Sequence, residues 1–198
     1  AALEQAMEEN QRIFLVAQRD MDVDDPAVDD IYHVGTIACV KQVLRLPGGN
    51  VRLLVEGKSR AVLRAVTQEE PYFVGALDEV LEQGTPVSIE TDALLRTAHH
   101  YFEEYCKMSG RISGETMQSV LEIEDPGQLA DIIAANVLSK VEDRQQVLEE
   151  FDELARLESV CALLVRETEL AGVEKKVQAR VRLFVALFEQ IPVRHAMR

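Results

Sequence analysis

Cysteine is scarce in this chain: three in 198 residues, at Cys39, Cys106 and Cys161. The number is odd and no C-x-x-C pair occurs, which argues against a disulfide scaffold and against a zinc site. Cys39 and Cys161 sit among apolar residues and read as small core groups; a reducing cytosol fits that usage. Positive charge is also short, with 21 basic residues against 35 acidic ones and a net charge of −14. Nucleic-acid binders need basic surface to replace counterions, so the balance argues against that class. It argues equally against docking on anionic membranes. It suits a soluble protein held apart from its neighbours by repulsion. No apolar run reaches the ~18–20 residues that span a bilayer, and no signal peptide leads the chain. The chain opens inside a helix-like pattern, with Leu3, Ala6 and Met7 on one face and no cap before them. It is expected to be part of something longer.

Catalytic signatures are missing as well. There is no G-x-x-x-x-G-K-[ST] loop and no G-x-S-x-G elbow. Asp20-x-Asp22-x-Asp24 invites a calcium reading, but an EF-hand loop starting there needs Gly at 25 and Glu at 31; the chain has Asp25 and Ile31. A solvated acidic loop is the reading that survives. His99, His100, Glu103 and Cys106 resemble a ligand cluster on a helix, yet His100 points about 100° away and no second motif completes a tetrahedron. A surface pair of His99 with Glu103, at i,i+4, explains those residues more simply. Nothing assembles an enzyme, a metal site or a cofactor site in this chain.

What is present is a well-formed hairpin. Val40, Leu44 and Leu46 alternate with polar Lys41, Gln42 and Arg45, with Val43 as the exception on the outward set. After Pro47-Gly48-Gly49-Asn50, the alternation resumes as Val51, Leu53 and Val55 against Arg52 and Glu56. Period-2 patterning around a Gly-rich turn predicts two paired strands. Short strands are also expected at Ile13–Val16 and Tyr72–Leu77, with 58–66 extending the hairpin or starting a new strand and Gly57 as a possible bulge.

From about Glu90 the period becomes helical. One helix stops at Gly110; another starts at Ser113. Asp125-Pro126-Gly127-Gln128 places Asp at the N-cap, Pro at N1 and Gln at N3. Ser139-Lys140-Val141-Glu142 reads as a second capping box. Beyond it, Val147, Phe151, Leu154, Leu157, Cys161 and Leu164 form one heptad-like series, and Leu170, Val173, Val177, Val181, Phe184, Phe188 and Ile191 a second. A helix from Val141 to Gln190 is expected, with a break or bend at Gly172. The expected architecture is α+β: a β module over 1–86, a helical subdomain over 87–140, and a long helix over 141–198.

Several ordered motifs together carry a family resemblance. They are Ala2–Met7, Ile13–Gln18, Val34-Gly35-Thr36, Leu44–Gly57, Ser59-Arg60, Ile123–Ala135, Lys140–Leu148 and Glu174–Val177. They resemble the N-terminal domain of Lon, the ATP-dependent protease, over roughly residues 1–182. The resemblance implies a PUA-like β-barrel or sheet module, then a helical subdomain with a long helix running toward an ATPase. It implies a non-catalytic part of a cytoplasmic homohexameric machine that contacts unfolded or damaged protein. An ATPase module using ATP and Mg, and a Ser-Lys dyad, lie outside this chain. Two departures stand out: the family's first strand is missing, and 183–198 does not follow the family's pattern. The missing strand is expected to leave an open edge or disorder at Ile13–Gln18 or Gly35–Val43.

Unfolded clients expose apolar side chains and free backbone, so candidate contacts are Leu44, Leu46, Pro47, Tyr72 and Phe73 on the β module. On the helices they are Tyr101, Tyr105, Met108 and Met117, methionine being able to repack around varied partners. Core packing is the competing explanation for each of them. The rival function is an oligomerisation scaffold built on the long helix; an independent small-molecule or enzymatic role is the third reading.

Overall fold

The computed structural model describes residues 2–47, 51–81 and 84–189, with side chains to 185. In chain order the elements are α1 (Ala2–Glu8), β1 (Arg12–Leu15), β2 (Val34–Arg45), β3 (Val51–Gln68) and β4 (Val74–Glu79). The helices α2 (Ile89–Ser109), α3 (Gly114–Leu121), α4 (Pro126–Val137), α5 (Val141–Glu149) and α6 (Glu153–Glu189) follow. The fold is α+β, as expected. Its contacts divide it into two compact units. One holds the chain up to Gly84 together with Ser139–Asp152; the other holds Thr85–Leu138 and Glu153 onward. A division at 140 is therefore corrected: the chain returns to the first unit after Leu138 and leaves it again after Asp152.

In the first unit four strands pair antiparallel in the order β1-β2-β3-β4. Ile37, Ala38, Val40, Ala61 and Leu63 fill its core. β3 runs unbroken for 18 residues through Gly57. Four register shifts interrupt the ladders, leaving Lys41, Lys58, Arg64 and Thr67 as extra residues opposite the partner strand. Bulges of this kind bend a strand and raise its twist. The sheet curls accordingly. Arg12 pairs with Cys39, whereas Glu79 pairs with Ala61 opposite Gly35, so on a flat sheet their backbones would be about 19 Å apart, three strand spacings across and four residues along; their side chains nonetheless meet at 3.5 Å.

The expectation of an open edge is met in part. β2 has partners on both sides over 36–39, where β1 covers it, and on its β3 side alone further along. β1 keeps one open edge among the described residues.

α5 belongs to this unit because its polar and apolar groups both find the sheet. Val147 is buried, Gln145 Nε2 donates to the Val34 carbonyl at 3.0 Å, and Arg60 Nε donates to the Leu148 carbonyl at 3.2 Å. The Ser139 capping box is corrected. The N-cap is Lys140, which has no side-chain cap bond, so Ser139 lies one residue too early.

The helical unit starts as its caps dictate. Ser88, Ser113 and Asp125 accept backbone N–H groups of Thr91, Thr116 and Gln128. Gly110 closes α2 in the left-handed region at φ 64°, which glycine adopts without strain. Phe102, Tyr105, Leu129, Ile133, Leu157 and Leu164 are buried together in this unit. Each contributes roughly 1.5–3 kcal/mol by leaving water.

The long helix departs from expectation at both marked points. The break falls at 150–152, not at Gly172. Glu150 is extended, and its carboxylate accepts the Asp152 N–H at 3.1 Å. α6 then runs through Gly172 for 37 residues. A single glycine costs a helix interior only about 1 kcal/mol, too little to stop one so well seated. The first heptad-like series is buried at Leu157, Cys161 and Leu164, whereas Phe151 falls outside any helix and is exposed. In the second series Leu170, Val173, Val177, Val181 and Phe184 are exposed, and the Phe188 side chain lies outside those described. Ile191 lies outside the described residues, as do Gly48-Gly49-Asn50 of the hairpin turn.

Candidate functional site

The hairpin arm owes its surface to one bulge. Val40 faces Val55, but Gln42 faces Leu54, so Lys41 is an extra residue. One inserted residue reverses the inside–outside phase of everything that follows. Val43, opposite Leu53, joins the inward set and is half-buried. Leu44, opposite Arg52, turns outward. The sequence pattern assigned those roles the other way round; a bulge leaves no signature in the alternation itself.

The bulge is held electrostatically. Lys41 Nζ lies 2.7 Å from Glu56 Oε2, and Lys58 Nζ, from the second bulge, lies 2.6 Å from the same oxygen. Hydrogen bonds from Lys41 first and Lys58 second hold the Glu56 carboxyl down at about 2, and the Glu56 bond raises Lys41. All three side chains are near half exposure, so solvent screens these pairs. Arg64, the third bulge residue, pairs with Asp78. Glu79 is lowered chiefly by a hydrogen bond from Ser59.

The result is an arm apolar on both faces. Leu44 is 45% exposed and Leu54 59%. They share the outward face, diagonal to one another, within side-chain reach. Leu46 is exposed with them, and Val51 and Leu53 are exposed on the other face. Pro47 is exposed at the end of the arm. The sequence alternation counts Val51 and Leu53 as inward strand residues and gives Leu54 no role; the signal that singles them out is Leu53-Leu54, an apolar pair that period-2 burial cannot place on one face.

The remaining candidates do not converge on this arm. Tyr72 is half-buried and Phe73 exposed just before β4, where Val74 pairs with Gln68. That is the far end of β3, about 56 Å of strand from Val51. On the helices, Tyr105 is 3% exposed and belongs to the core, which corrects its place among the contacts. Tyr101 and Met117 are half-buried. Met108 is exposed at the end of α2 beside a groove of about 460 Å³. The groove runs between 108–111 and 171–182. The pairing of His99 with Glu103 is also corrected: His100 meets Glu104 at 3.7 Å and Lys107 meets Glu103 at 3.1 Å, while His99 Nε2 is buried without a hydrogen-bond partner. Among the described residues no group of three His, Cys, Asp or Glu side chains could hold a metal ion, and no helix is long and apolar enough to cross a membrane.

Solved Lon N-terminal domains share this fold. The N-terminal domain of Mycobacterium avium complex Lon protease superposes with a TM-score of 0.55 at 23% identity, covering 79% of this chain and 90% of that one. A Lon N-terminal domain protein from Xanthomonas campestris gives 0.55 at 13% identity, covering 81% and 80%. At such identities the likeness concerns the fold alone. The family model of the ATP-dependent protease La (LON) substrate-binding domain matches residues 1–166. The chain belongs to that family. It is 45% identical over 184 residues to the Lon protease of Desulforamulus reducens, covering 91% of this chain and 22% of that protein. The Lon protease of Escherichia coli is 42% identical over 180 residues, with 91% and 23% covered. The chain thus spans about a fifth of the length of these Lon proteases, and what it matches is a substrate-binding domain rather than a catalytic one.

Proposed function

We propose that this chain is the client-recognition part of a Lon-like ATP-dependent protease, and that the β2–β3 arm is where unfolded protein first binds. The observation that carries this is the exposure of Leu44 and Leu54 on one face of the arm, with Leu46 exposed just beyond the end of β2. Exposed apolar surface concentrated on one element is what an unfolded client's own apolar side chains can bury. ATP and Mg, a Ser-Lys dyad, a homohexamer and a cytoplasmic setting belong to the parent machine in this reading. The test is binding of a fluorescently labelled, permanently unfolded protein to the chain. The double variant Leu44→Asp/Leu54→Asp is expected to weaken it at least tenfold with an unchanged far-UV spectrum. Unchanged affinity refutes the arm as the site.

A second reading, an oligomerisation scaffold, is favoured by the exposed series from Leu170 to Phe184. Cutting at Lys140 would remove α6 from the core of the helical unit, so the test is Val177→Asp/Val181→Asp. If light scattering gives the same mass for the variant and the parent chain, the scaffold reading fails.

A further inference from the structure

The groove between the end of α2 and the second half of α6 has a chemistry opposite to that of the chain. The chain carries a net charge of −14, yet Arg111, Lys175 and Arg182 line this groove against Glu174 alone. Arg111 and Glu174 neutralise each other through an ion pair of 2.6 Å. Lys175 and Arg182 have no ionic or hydrogen-bonding partner among the described residues. Two uncompensated cations therefore face a cleft of about 460 Å³, within the size range of ligand sites.

The spacing narrows the ligand. Lys175 and Arg182 are seven residues apart on one helix, or about 10.5 Å along its axis. In a polyproline-II segment, with three residues per turn, side chains three residues apart lie on one face and about 9.3 Å apart. Ala171 and Ala179 leave room for a backbone beside α6, and Met108 offers an apolar contact at the mouth. We propose that this groove binds an acidic segment of a client polypeptide in the polyproline-II conformation, with two carboxylates three residues apart meeting Lys175 and Arg182. The proposal rests on the reading that the chain handles unfolded polypeptide; it adds a second contact of different chemistry from the apolar arm.

The test is fluorescence anisotropy with the full chain and two labelled unstructured decapeptides, one carrying Glu-x-x-Glu beside a leucine, the other Gln-x-x-Gln. The acidic peptide is expected to bind at least tenfold more tightly, with affinity falling as salt rises. Lys175→Glu/Arg182→Glu, and the milder Lys175→Gln/Arg182→Gln, should each remove that advantage while the helical spectrum stays intact. Leu44→Asp/Leu54→Asp should leave it in place. Equal binding of the two peptides, or indifference to both groove variants, overturns the proposal. So does uptake of an oligophosphate or single-stranded DNA with no binding of the peptide. Loss of apolar-client binding in the arm variant alongside equal peptide binding would retain the arm and sink the groove; the reverse pattern would retain the groove and sink the arm.

Discussion

Lys41 and Glu56 meet at 2.7 Å across the β2–β3 ladder, and Lys41 is the residue that has no opposite number there. The same extra residue sends Leu44 outward. A structural irregularity, an ion pair and the exposed face of the arm are therefore one feature.

Glu56 should titrate far below an ordinary carboxylate. Its folded value lies at about 2, against 4.5 for an ordinary glutamate. A depressed folded value means that its contribution is present above the unfolded value and is lost as pH falls from about 4.5 toward 2. Carbon-detected NMR titration should find that midpoint at low salt. Because the pairs are exposed, 1 M salt should move the midpoint upward. A midpoint near 4.5 at low salt would mean that Lys41 and Lys58 do not hold the carboxylate in solution.

Two glycines of the helical unit should respond in opposite directions to alanine. A Cβ on Gly127 would stand 2.8 Å from Nη2 of the fully buried Arg156 and 3.0 Å from Cγ of Glu153. Neither can yield freely, so Gly127→Ala should destabilise by about 1–3 kcal/mol, the usual cost of overpacking. A Cβ on Gly172 would meet nothing closer than 3.7 Å. Gly172→Ala should stabilise by about 0.5–1 kcal/mol, because alanine suits a helix interior better. Denaturant unfolding of both variants reads this directly. A destabilised Gly172→Ala would contradict the unbroken course of α6.

The thiols should separate by burial. Burial pushes Cys161 up to about 11 and raises Cys106 as well, whereas Cys39 is half-exposed. The thiolate is the nucleophile, so at pH 8 iodoacetamide should modify Cys39 first. Cys161 should react only once the helical unit opens. Mass spectrometry of a time course checks the order, and early labelling of Cys161 would place it outside the core.

Much of this fold was legible because its signals are local. Asp125 with Pro126 and Gln128, Ser113, and Gly110 each mark a boundary through a bond or a dihedral made within a few residues. What escaped was decided at a distance. The bulge at Lys41 exists only against β3, so alternation along β2 alone put Leu44 inside. Ser139 has the composition of a cap, but the helix begins one residue later because Gln145 and Val147 are fixed by the sheet. Gly172 looked like a break since pattern reading cannot see that α6 is already well seated before reaching it. The candidate contacts fared similarly. Residue type picked out Tyr105 and Leu44 alike, and tertiary packing buried one and exposed the other. The uncompensated pair Lys175 and Arg182 carries no signature in the sequence, because its significance depends on Arg111 reaching Glu174 from the link between α2 and α3.

The central claim is that unfolded protein contacts the β2–β3 arm. Photo-crosslinking an unfolded client to the whole chain, followed by peptide mapping, tests it most directly. Crosslinks concentrated on the arm residues 43–47 and 51–54, and lost in Leu44→Asp/Leu54→Asp, are the predicted result. Crosslinks that avoid the arm, or that persist unchanged in the variant, would contradict it.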